Sequence, residues 1–168
     1  MQYSAATLQE RKDAQGPHNT YILGLFLFDL FMTPAVIGLK IGMVGLLIPL
    51  FFSGSLIAYI YMRGRSGALP WFVAAHWKLA FRRCKILLLG YALTAALVFV
   101  AWLLSSISDD HNMAQIMWTA MTRIALMPTL ICVMITAVLE FSATAQAVKG
   151  EVPDKIAAAF PPPATAAE

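Results

Sequence analysis

Asp29 stands near the middle of an apolar segment at about 21–39, the first part of a run, 21–62, broken by charge only here and at Lys40. A charged Asp at the centre of a membrane helix costs about 2.5–3.5 kcal/mol, so it calls for polar partners. Counting equal steps out from a turn near Lys40, Asp29 faces the level of Ser53-Gly54-Ser55. Thr94 of a later apolar segment falls near the same level. Arg123 lies about 7 Å further out at ~1.5 Å per residue, within reach of a long side chain. Asp29, Ser53, Ser55, Thr94 and Arg123 therefore form a candidate intramembrane polar layer. It would serve either as part of a proton or ion path or as hydrogen-bonded packing between helices.

A second pattern is His111 followed by Met113, Met117 and Met121, one methionine per helical turn. Thioethers with a nearby imidazole suit Cu(I). Copper importers of eukaryotic membranes use a comparable MxxxM helix, but here no GxxxG pair follows and the number of spans differs. The ordinary use of such a stripe is packing. A bis-His haem needs two histidines at equal depth on facing helices. The sequence reads His18 in an N-terminal tail, His76 in a basic segment and His111 in an outer loop. The expectation is no resident cofactor, with copper at the outer surface as the alternative. Neither GxSxG, HExxH nor a Walker A motif is present. Cys84 and Cys132 have no CxxC spacing.

The elements that would position these groups follow from hydrophobicity. The chain is 60% hydrophobic, and only 12 bases and 9 acids are spread over 168 residues. That is too little charge to cover a water-soluble surface. As one helix, residues 21–62 would be about 63 Å long at ~1.5 Å per residue, twice the roughly 30 Å hydrocarbon core of a bilayer. They must fold back at Gly38-Leu39-Lys40-Ile41-Gly42, with Lys40 snorkelling at the outer tip. The expected fold is an all-α integral membrane protein of four transmembrane helices, at about 21–39, 44–62, 86–106 and 117–140. The first two form a tight hairpin. Pro34, Pro49 and Pro128 would kink three of the four. Residues 1–20 read as a polar cytoplasmic segment, 21–140 as the membrane domain, and 141–168 as a cytoplasmic Pro/Ala-rich tail without a packed core. No signal-peptide pattern is seen, so the hairpin is expected to stay in the mature chain.

Six of the twelve bases fall in residues 63–85, with no acid among them, whereas the opposite loop carries Asp109 and Asp110. The positive-inside rule puts residues 63–85 and both termini in the cytoplasm, and a bacterial inner membrane is the expected location. From Pro70, a favoured first-turn residue, Trp77 and its apolar neighbours share one face and the bases another. The pattern predicts a basic interfacial amphipathic helix at about 70–84. Its site residues are Trp77, Lys78, Arg82, Arg83 and Lys85, facing anionic headgroups. The pI near 9 is thus accounted for without nucleic acid. The expected partners are membrane lipids, other membrane subunits or further copies of the chain. The leading expectation for function is a non-catalytic accessory, assembly or stabilising subunit of a membrane complex. A small oligomeric transporter or channel using the Asp29 layer comes next, and Cu(I) handling third.

Overall fold

A computed structural model describes residues 1–163 except Lys40, and at Met43 the backbone alone. The expected snorkelling of Lys40 therefore lies outside the described residues. Among these residues the regular elements are helices, and four helical stretches are long and apolar enough to cross a membrane: Leu8–Gly38, Val44–Arg65, Trp71–Ile107 and His111–Lys149. The chain divides into two compact units, Met1–Cys84 with Ala137–Glu168, and Lys85–Thr136.

In the first unit, helix α1 (Leu8–Gly24) starts well ahead of the apolar run because a capping box nucleates it. Thr7 Oγ1 accepts from the Glu10 amide at 3.1 Å, and Glu10 Oε2 accepts from the Thr7 amide at 2.8 Å. After Gly24 the helix loosens into π-helical turns over Leu25–Met32 and returns to α geometry as α2 (Thr33–Gly38). Pro34 is the physical cause at hand. It has no N–H to donate, and its ring crowds the preceding turn. The Thr33 amide accordingly reaches back five residues to the Phe28 carbonyl, which also accepts from Thr33 Oγ1 at 3.0 Å. The chain reverses through Gly42, whose φ of 86° a side chain would strain. A 3-10 turn over Met43–Leu46 then leads into α3 (Leu47–Arg65). Stacked Phe28 and Phe52, with ring centres 5.4 Å apart, tie the two arms of this hairpin together.

Residues 70–84 lead straight into the third apolar stretch: helix α4 runs unbroken over Trp71–Ile107. Its first turns are buried on several sides: Phe72, Val73, Ala75, His76, Trp77 and Ala80 all lie inside. Trp77 meets Tyr59 edge-to-face at 5.6 Å.

The C-terminal residues also differ from expectation. Helix α6 (Met127–Lys149) ends in a Schellman motif: the Glu151 amide bonds the Gln146 carbonyl at 2.9 Å and the Gly150 amide bonds Ala147 at 3.1 Å. Gly150 takes the left-handed conformation this requires, with φ 75°. A short helix α7 (Asp154–Ala159) follows. Val152, Ile156 and Ala157 join Tyr3, Ala6, Phe72, Leu79 and Ala143 in one apolar cluster. The supposed coreless tail thus packs. Its apolar positions span barely one helical turn, too few to register as a periodic face. The head of the chain is stitched to the same place. Tyr3 N donates to Gly150 O at 2.8 Å, Val152 N donates to Met1 O at 2.9 Å, and the Met1 ammonium meets Asp154 at 2.7 Å. That ammonium holds the Asp154 carboxyl below its usual value. Such a carboxyl contributes stability that is full above its unfolded value and is lost as pH falls through the lowered one.

The second unit holds the rest of α4, helix α5 (His111–Ala125) and the start of α6. Asp110 caps α5, accepting from the Asn112 amide at 2.9 Å. Within the fourth stretch α5 passes into α6 at Leu126, two residues before Pro128, and Leu126 itself keeps helical angles, φ -75° and ψ -19°. Thr94 Oγ1 donates to the Ala125 carbonyl there at 2.8 Å and so accepts from Thr129, also at 2.8 Å. Nearby, a Cβ on Gly90 would meet Cys132 Cβ at 2.9 Å and Thr129 Cα at 3.2 Å. Backbone cannot give way as a flexible side chain can. Gly90→Val is expected to lose about 1–3 kcal/mol, read as a lower Tm in detergent.

Candidate functional site

The main polar cluster of the first unit joins three helices. His18 on α1, His76 on α4 and Glu140 on α6 are each fully buried. They are brought inward by helical faces spaced three and four residues apart: Ala14, Pro17, His18, Tyr21 and Gly24 on α1, and Ala137, Glu140, Ala143 and Ala147 on α6. His18 Nδ1 lies 2.5 Å from Glu140 Oε2, and His18 Nε2 lies 2.9 Å from His76 Nδ1. His76 Nε2 donates to the Glu151 carbonyl at 3.2 Å. Arg83 stands 3.6 Å from the other Glu140 oxygen and donates to the Leu139 carbonyl.

The bonding order counts the protons. Three links join carboxyl, imidazole, imidazole and carbonyl, and each link needs one hydrogen whichever side holds it. Three protons make the Glu140–His18–His76 trio neutral overall, with Arg83 adding one positive charge. A proton can shift along the first two links but not beyond the third, because a backbone carbonyl has no hydrogen to pass on. The chain is therefore a dead end for proton traffic. As a clasp it satisfies all four ring nitrogens and ties α1, α4 and α6 together.

Reading the histidines as lying apart is overturned for His18 and His76. Their facing nitrogens bond each other, so they do not form the separated pair that a bis-His haem would need. Sequence reasoning missed the clasp because His18 and His76 lie outside the apolar runs and Glu140 only at the end of the fourth. The available signal was the continuation of the three-and-four spacing N-terminal to residue 21.

The hairpin holds the second polar pair. Asp29 is 7% exposed within the π-helical turns, and Ser53 Oγ donates to its Oδ2 at 3.4 Å. Ser55 turns back to the Phe51 carbonyl of its own helix at 2.8 Å. The Thr94 hydroxyl is engaged with Ala125 and Thr129 in the other unit. Arg123 is exposed, lining a shallow surface depression with Asn112, Gln115 and Thr119. Of the five residues proposed as one layer, the hydrogen bonds described join Asp29 and Ser53.

His111 and Met113 are exposed on α5, with Met117 and Met121 half-buried below them. Among the described residues, no three His, Cys, Asp or Glu side chains converge as a metal-binding group. Of the basic residues, Arg82 and Lys85 are exposed, and Lys78 lies 3.0 Å above the Phe160 ring. No protein-family model matches the chain, and neither a curated protein nor a solved structure is similar to it.

Proposed function

We propose that this chain is a non-catalytic accessory, assembly or stabilising subunit of a larger membrane complex, held in a bacterial inner membrane with both termini in the cytoplasm. The observation that carries the reading is the sealed clasp. The molecule's most elaborate ionisable cluster is fully buried, dead-ended on a carbonyl and committed to joining helices. The bonding of residues 1–3 to residues 150–154 favours an even number of crossings, and the base-rich residues 63–85 favour the cytoplasmic side. Leu93, Phe99 and Trp102 are exposed apolar side chains available to lipid or to neighbouring helices. A photo-crosslinking residue placed at Leu93 or Phe99 in native membranes should give discrete adducts with the same protein. Adducts with lipid alone at both positions would defeat the proposal.

A second reading rests on Asp29. It is a buried acid in π-helical turns, a geometry found often at functional sites. As part of a transport path, Asp29→Asn would abolish ion or proton flux in reconstituted vesicles. Unchanged flux, or none from the parent protein, removes this reading.

A further inference from the structure

At the end of α3 a groove of about 280 Å³ is lined by Tyr61, Gly64, Arg65, Lys78 and Phe81. Two of its five residues are cations and none is an acid. Its floor is aromatic, with the Tyr61 and Phe81 rings 4.8 Å apart. Arg65 is held in place rather than free to wander: its guanidinium lies 5.3 Å from the Tyr61 ring centre and donates to the Tyr61 hydroxyl. Lys78 is likewise steadied over Phe160. Residues 63–85 contain no carboxylate to compete for Arg65 and Lys78.

We propose that this groove binds the phosphate headgroup of an anionic glycerophospholipid. Arg65 and Lys78 would face the phosphate, and the lipid's glycerol and first acyl carbons would lie against Tyr61 and Phe81. The chemistry needed is a phosphate anion joined to something apolar. The groove supplies both halves, and it sits where the candidate span Val44–Arg65 ends. The carbonyl end of α3 opposes an anion with roughly half a charge, against two full positive charges from the side chains. Basic pockets between helices on the cytoplasmic side are the usual place for such headgroups. The site rests on the membrane-spanning reading above, and it adds a particular lipid contact to it.

The test uses the full-length protein in nanodiscs of zwitterionic phosphatidylcholine, titrated with phosphatidylglycerol and, separately, with inorganic phosphate. Retained lipid is read by native mass spectrometry. Phosphatidylglycerol should bind wild type, and the Arg65→Gln/Lys78→Gln variant should bind it about 30-fold more weakly, from roughly a factor of five per base. Arg82→Gln/Lys85→Gln removes the same charge outside the groove and should leave binding within about twofold of wild type. Equal losses in the two double variants would show general charge attraction and overturn the site. So would inorganic phosphate binding as well as the lipid. Wild type inserted in discs but indifferent to phosphatidylglycerol sinks the groove alone, whereas failure to enter discs sinks the membrane reading and the site together.

Discussion

Glu140→Leu should lower stability by about 3 kcal/mol, on the order of 10 °C in Tm. The reason is the hydrogen-bond partners it strands. Arg83, only 12% exposed, would lose the carboxylate 3.6 Å away, and His18 would lose the partner of its Nδ1. Breaking a buried pair costs about 3–5 kcal/mol. The lower end applies because Arg83 keeps the Leu139 carbonyl. Glu140→Gln is the informative contrast. Its amide can donate to His18 and accept from Arg83, so it should cost no more than about 1 kcal/mol, the net value of one hydrogen bond. Thermal unfolding in mild detergent separates the two. Equal losses for Leu and Gln would mean that the carboxylate's charge, rather than its hydrogen bonding, holds the clasp.

Ile156→Asp should release the end of the chain while leaving the apolar helices intact. Ile156 is 4% exposed among Tyr3, Phe72 and Leu79. The substitution removes a packed aliphatic side chain and leaves a carboxylate among apolar side chains. Loss of packing alone costs about 2–5 kcal/mol. The readout can be made local. Gln2 and Glu151 face each other across an isolated antiparallel bridge. The bonds of their neighbours make them a non-hydrogen-bonded pair, for which Cα atoms lie about 4.5 Å apart, within disulfide range. The Gln2→Cys/Glu151→Cys variant should therefore oxidise readily, and adding Ile156→Asp should abolish the cross-link. Continued cross-linking would show that α7 does not hold the head and tail together.

What could be read from the residues, and what could not, follows from which forces leave a mark on sequence. Burial in lipid leaves long apolar runs, so the four long helices and the reversal near Gly42 were legible. Equal counting from that turn was enough to set Asp29 opposite Ser53, because helical rise is constant. The polar cluster of the first unit obeys another rule. There His18, His76, Glu140 and Arg83 are buried by pairing rather than by hydrophobicity, and pairing between residues 122 positions apart leaves no local pattern. Val152 and Ile156 escaped for a related reason. Their core is assembled from single turns contributed by both ends of the chain, and each piece is too short to carry a period. Trp77 was recognisable as apolar, but its contact with Tyr59 was not, because the two sit on different helices with no local pattern linking them.

In the proposed arrangement the chain crosses the membrane four times and its head and tail share the base-rich side. Cysteine labelling tests it most directly, in a background lacking Cys84 and Cys132, with single cysteines at Gln2, Lys155 or Asp109. A membrane-impermeant maleimide should label Gln2→Cys and Lys155→Cys only in inside-out vesicles, and Asp109→Cys only from outside intact cells. Labelling of Gln2→Cys and Lys155→Cys from opposite faces would contradict the account.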